Sequence, residues 1–155
     1  MGRRKDLTNE DISYTVKTDN YGNVYIAGFS RLDNYRHDMK LLKYNYSGEQ
    51  QWIRSYEGLN DGKVFYFYEK RKMLVLDNTG NIYLNFMIHN SSIYNNSDIA
   101  TAKYNSSGDL LWINKYNCNN GEFSSLEETK DIKIDRSNNV YLTVSADLIR
   151  QEILL

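Results

Sequence analysis

Three aspartates, Asp19, Asp77 and Asp135, recur with 58 residues from each to the next. Each opens a short motif: Asp19-Asn20-Tyr21-Gly22-Asn23, Asp77-Asn78-Thr79-Gly80-Asn81 and Asp135-Arg136-Ser137-Asn138-Asn139. Carboxylates in such segments suggest calcium chemistry first. Calcium needs several oxygens converging on one point, with acidic groups at alternate positions. Each motif offers one Asp and a few carbonyls, so turn formation is the expected role. His37 and His89 are the only histidines, and they fall at non-equivalent places. Metal or general-base work would require convergent partners; surface or loop positions are expected for both. Cys118 is the single cysteine, in a polar stretch without a neighbouring histidine. It reads as a free thiol and excludes an intrachain disulfide. Lys17, Lys72 and Lys133 are further candidates, with no histidine and no carboxylate pair among them. No catalytic, cofactor-binding or metal-ligating residue is assigned, and no cofactor is expected.

Aromatic side chains are the other candidates. Trp52, Trp112 and the fourteen tyrosines offer faces on which sugars or bases could stack. Their recurrence at equivalent positions argues for packing instead. Val64-Phe65-Tyr66-Phe67-Tyr68 has no counterpart elsewhere. Two readings stand for it, a buried extra strand or an exposed aromatic contact, and burial fits the rarity of large exposed apolar patches. Asn45, Asn90, Asn95 and Asn105 begin Asn-x-Ser sequons. Such matches arise by chance in a chain rich in Asn and Ser.

The elements that must position these residues repeat with them. Lys43-Tyr44-Asn45-Tyr46-Ser47-Gly48 with Trp52 recurs as Lys103-Tyr104-Asn105-Ser106-Ser107-Gly108 with Trp112. Periods of this length mark solenoids, propellers or arrays. The first unit holds strand-like runs at Ile12 to Thr18, Asn23 to Ser30, Met39 to Tyr44 and Gln51 to Tyr56. The second holds them at Met73 to Leu76, Asn81 to Ile88, Ile99 to Tyr104 and Leu110 to Tyr116. The third supplies Asp131 to Ile134 and Asn139 to Val144. Asp or Asn followed three residues later by Gly is a type I turn signal, and short hairpins place a left-handed residue there. Asn138 replaces Gly in the fifth turn, as the residue that best tolerates that backbone after Gly.

Several strands are apolar at nearly every position, as in Ile82-Tyr83-Leu84-Asn85-Phe86-Met87-Ile88. Such runs are covered on both faces. No helical period lies between them, so sheets must cover sheets. The expected fold is all-β, with four-stranded antiparallel β-propeller blades, two complete plus half a third. The divisions are an N-terminal tail or inter-blade loop (1–11), blade 1 (12–56), an inter-blade segment (57–72) and blade 2 (73–116). An inter-blade loop (117–130), half of blade 3 (131–145) and a C-terminal tail (146–155) follow. The tail reads as a short amphipathic helix or a frayed end.

The pattern Asp-x-x-Gly-Asn-Val/Ile-Tyr, then Lys-Tyr-Asn-x-x-Gly and Trp, resembles the bacterial beta-propeller repeat family of SBBP type. The resemblance covers Ile12 to Tyr56, Met73 to Tyr116 and Asp131 to Val144. It implies a first strand near a central axis, a fourth strand with Trp52 or Trp112 at the rim, and a secreted or cell-surface parent protein. It carries no catalytic signature. Met1 to Asn9 holds no apolar core of a signal peptide.

A net charge of −1 gives no electrostatic case for nucleic acid or anionic membranes, and no apolar run is long enough to span a bilayer. Propellers close with about 4–8 blades. Two and a half blades imply self-association or further blades of a larger protein. The expected function is a non-catalytic structural or binding scaffold, with protein or carbohydrate as ligand. A fragment of a lyase or quinoprotein propeller is the alternative, as is a truncated gene product without its own activity.

Overall fold

The computed structural model describes residues 11–31, 37–56, 63–64, 73–89, 97–116, 128–145 and 152–154. It is all-β over these residues, without a helix. The first unit comprises β1 (Asp11–Thr18), β2 (Val24–Arg31), β3 (His37–Tyr44) and β4 (Gln50–Tyr56). A short β5 (Lys63–Val64) precedes the second unit, made of β6 (Leu74–Leu76), β7 (Ile82–His89), β8 (Ser97–Tyr104) and β9 (Leu110–Tyr116). The third unit contains β10 (Glu128–Ile134), β11 (Val140–Ser145) and β12 (Glu152–Leu154). Every pairing is antiparallel.

The units share one register. Val24 faces Tyr44 as Ile82 faces Tyr104, and Lys43 faces Trp52 as Lys103 faces Trp112. The third strands carry the same irregularity, at Lys43/Tyr44 and at Lys103/Tyr104. In the third unit, Ile132 faces Leu142 as Val16 faces Ile26, and a register shift at Thr129/Asp131 matches that at Ser13/Thr15.

Three details differ from the sequence expectation. Residues 152–154 pair with β11, Leu154 opposite Tyr141, so the segment read as a tail supplies a third strand. Its alternation was too short to recognise without the neighbour that pairs with it. β10 also begins earlier than Asp131. Finally, β5 pairs with β3 at His37 and with β7 at Ile88 and His89, which joins the first two units at one corner of a nine-stranded network. Phe65 to Tyr68 lie outside the described residues.

Away from that corner the units meet face to face. Tyr25, Ala27, Phe29, Met39 and Leu41 form the forward face of the first unit and share a core with Ile82, Leu84, Phe86, Ala100 and Ala102 of the second. Tyr83 and Ile99, on the opposite side of the second unit, share another core with Ile132, Val140, Leu142 and Val144. The second unit is therefore buried on both sides. This explains why β7 lacks polar alternation: its two faces meet two different sheets. Each fully buried aliphatic or Phe side chain contributes roughly 1.5–3 kcal/mol.

Gly28 stands where the second unit has Phe86. β1 crosses so closely that a Cβ on Gly28 would lie 2.1 Å from the Ile12 carbonyl oxygen. Gly28→Ala should therefore destabilise the chain by about 1–3 kcal/mol, although Gly→Ala at an unstrained site stabilises by about 0.4–1 kcal/mol. Urea denaturation would measure the sign and size.

Candidate functional site

The repeated aspartates organise the turns. Asp19 Oδ1 accepts backbone N–H groups from Tyr21 and Asn23, both at 2.9 Å. Its Oδ2 accepts Asn23 Nδ2 at 2.8 Å and the Tyr25 hydroxyl at 3.2 Å. Asp77 binds Thr79, Asn81 and Tyr83 in the same pattern. Asp135 does so with Ser137, Asn139 and Tyr141. A carboxylate has about four lone-pair positions; four bonds occupy them at Asp19 and Asp135, and Asp77 accepts a fifth from the Thr79 hydroxyl at 2.7 Å. Left-handed residues close the turns, with φ of 79° at Gly22, 83° at Gly80 and 65° at Asn138. Among the described residues no group of three or more His, Cys, Asp or Glu is placed to hold a metal ion.

The bonds leave an electrostatic signature. Burial acts to raise the Asp19 and Asp77 pKa, yet hydrogen bonds from Asn23 and Asn81 and their neighbours outweigh it and both are lowered. Asp135 is lowered by the Asn139 side chain first, then by backbone donors and Tyr141. Burial, reinforced by the Asp19 charge, pushes Tyr25 up to about 12.

A second arrangement links units. Lys43 lies 5.3 Å from the Tyr25 ring centre, and Trp52 packs against Tyr25 with ring centres 6.2 Å apart. Lys103, Tyr83 and Trp112 repeat the stack, at 4.9 Å and 6.1 Å. From the first unit this stack reaches into the turn of the second. Lys43 Nζ donates to the Ser106 carbonyl at 3.0 Å, and Trp52 Nε1 to the same oxygen at 3.4 Å. Arg54 Nε donates to the Gly108 carbonyl at 2.7 Å and Nη2 to that of Ser107 at 3.0 Å. The Trp52 ring sits where a Cβ on Gly108 would be, 2.9 Å away. Gly108 thus serves two ends, a left-handed turn and a seat for indole. The tryptophans are packing groups here, as their recurrence suggests. Arg54 escaped sequence reading because its counterpart in the second unit is Asn114; only contact with the next unit shows its role.

The first strands of the three units, β1, β6 and β10, meet at a groove of about 300 Å³, lined by Lys17, Thr18, Val75, Leu76, Lys133 and Ile134. Lys133 Nζ is 3.0 Å from Asp131 Oδ2. Lys17 and Lys133 thus line one groove, whereas Lys72 lies outside the described residues, as does Cys118. The histidines, expected at surface or loop positions, open β3 and close β7. Backbone pairing puts them on either side of β5, His37 opposite Val64 and His89 opposite Lys63; their side chains lie outside the described set. Of the sequon positions, Asn45 and Asn105 act as turn caps, each Oδ1 accepting two backbone N–H groups. Asn90 and Asn95 are outside the described residues. Compared with known proteins, the chain matches no family model and no curated sequence.

Because the folded aspartates have lowered pKa values, their contribution is complete above the unfolded carboxylate value near 4. It is lost as pH falls through the lower folded values. Tyr25 contributes in the opposite range: its share holds below about 10 and disappears as pH rises through about 12. Melting temperature against pH should fall at both ends. Asp77→Asn should be less stable at neutral pH and show a shallower acid fall than the unchanged chain. Equal acid slopes in the two proteins would refute the assignment.

Proposed function

We propose that the chain is a non-catalytic scaffold built of β-propeller-type blades, serving a larger surface or secreted protein as a structural or binding module. The observation carrying this reading is the second unit, buried on both faces by neighbouring sheets of the same repeat. Among the described residues, several of reactive type are engaged in building that stack. The three turn carboxylates hold backbone and tyrosine donors, and Trp52 and Arg54 clasp the next unit's turn. A radial stack of such sheets leaves its loops and axis as recognition surfaces on a rigid frame. The sequence resemblance to bacterial propeller repeats supports the extracellular parent; fold by itself specifies no ligand.

A propeller-enzyme reading would place its chemistry in the groove of Lys17 and Lys133, where the first strands of the three units meet. The two readings separate in one set of experiments. Labelled chain on glycan and peptide arrays should bind without dependence on those lysines, and lyase and quinoprotein-dehydrogenase assays should show no turnover. Turnover that disappears in Lys17→Ala or Lys133→Ala would overturn the scaffold reading.

The contact between units gives a further expectation. Arg54→Ala removes two charge-assisted bonds to the second unit's turn and should cost about 1–3 kcal/mol. Lys115→Ala, on the exposed part of β9, should change stability by less than about 0.5 kcal/mol. Thermal unfolding of the two variants would compare them.

A further inference from the structure

We propose that Tyr21 and Tyr46 form a stacking platform for uncharged saccharides on the two hairpin turns of the first unit. The inference deepens the reading of the chain as a binding module and rests on it. Tyr21 and Tyr46 are 84 % and 81 % exposed, more than any other large apolar side chain among the described residues. Their turns touch, since a Cβ on Gly22 would lie 3.3 Å from the Tyr46 Cβ. Two aromatic residues therefore stand on one small patch of surface.

The fold uses neither ring. The turns of the second unit meet in the same way, a Cβ on Gly80 lying 3.5 Å from the Ser106 Cβ. Yet the residues at the two positions are Thr79 and Ser106 there, and the third unit has Ser137 in place of Tyr21. Small polar residues thus suffice to build these turns. Tyr25, Tyr83 and Tyr141 give their hydroxyls to turn aspartates, whereas neither the ring nor the hydroxyl of Tyr21 or Tyr46 has a partner among the described residues. Exposure at these positions does not depend on what lies beside the first unit. Thr79 and Ser106 are exposed although the second unit has a neighbour on both faces, and although the Ser106 carbonyl is clasped by Lys43 and Trp52. The two turns join β1 to β2 and β3 to β4, so segments 32–36 and 57–62 leave from the opposite ends of those strands.

The chemistry of the patch selects the class of ligand. Tyrosine offers a flat apolar face with a polar tip. A pyranose can lay its C–H groups on such a face and turn its hydroxyls toward polar neighbours, which exposed Asn20, Ser47 and Glu49 supply within the same two turns. Residues 19–23 and 45–49 include Asp19 and Glu49 but no Lys or Arg, so phosphate-bearing partners lack the cations they require. Peptides are commonly taken along a sheet edge or in a groove. Here the turn backbone closes on itself instead, the Gly22 N–H on the Asp19 carbonyl and the Gly48 N–H on that of Asn45. The platform is also preorganised. Asp19 holds the Tyr21 N–H at 2.9 Å, and Asn45 Oδ1 brackets Tyr46 by accepting the N–H groups of Ser47 and Glu49 at 3.0 and 2.9 Å. A backbone fixed before binding lowers the entropy lost on binding.

NMR titration of the isotope-labelled full chain with cellohexaose, mannohexaose and the hexamer of N-acetylglucosamine, each to about 10 mM, tests this, a range suited to weak surface sites. At least one should bind, with shift changes centred on residues 19–23 and 45–49. Tyr21→Thr and Tyr46→Ser install the residues of the second unit. Each should weaken binding by at least about fivefold, with the melting temperature unchanged. Tyr21→Phe and Tyr46→Phe keep the ring and should stay within about twofold of the unchanged chain. Absence of binding by all three saccharides overturns the proposal. So do shift changes centred elsewhere, undiminished binding in the Thr and Ser variants, or equal losses in the Phe variants. A peptide-array signal that depends on both tyrosines, without saccharide binding, overturns it in favour of a protein partner. If a Thr or Ser variant fails to fold, the shift map of the unchanged chain decides alone. The scaffold reading is tested separately by turnover and its dependence on Lys17 and Lys133, so absence of saccharide binding leaves that reading intact.

Discussion

A β-sheet with two apolar faces cannot stand alone in water, and that constraint governs this protein. The second unit satisfies it with a different neighbour on each side. Leu84, Phe86 and Ala100 turn toward the first unit, while Tyr83 and Ile99 turn toward the third. Burial on this scale supplies the principal favourable term. Hydrogen bonds then choose the relative placement of sheets that hydrophobic contact alone would let slide.

Two polar devices make that choice. Within a unit, the turn aspartate ties backbone N–H groups to a tyrosine on the following strand, so the turn and first hairpin have a defined geometry. Between units, Lys43, Trp52 and Arg54 engage carbonyls of a turn in the next sheet. Those carbonyls, at Ser106, Ser107 and Gly108, thereby gain donors from the neighbouring unit. The first device is local and recurs three times. The second depends on sequence at β4, and its arginine becomes Asn114 in the second unit, so the units are alike in fold without being equivalent in contact.

The same tyrosine joins the two devices. Tyr25 gives its hydroxyl to Asp19, takes Lys43 over its ring and packs at a tilt against Trp52. Tyr83 repeats these contacts in the second unit. A residue with an apolar body and a polar tip suits a site where a sheet core meets a turn. The abundance of tyrosine thus follows from packing at the junction of turn and strand.

The strands, the hairpin turns and the repeat were legible in the residues because each is set by short-range chemistry: alternating or continuous apolar runs, Asx turns and left-handed Gly or Asn. The all-β class followed from the lack of any helical period between them. Other features were decided only by tertiary contact. The strand at 152–154 exists through pairing with β11. The meeting of both histidine backbones beside β5, the groove between Lys17 and Lys133, and the clasp of Arg54 on Gly108 join residues far apart in sequence. Turn propensity is a property of a few consecutive residues, whereas a donor's partner on another sheet is chosen by how whole faces pack, and no local pattern encodes that.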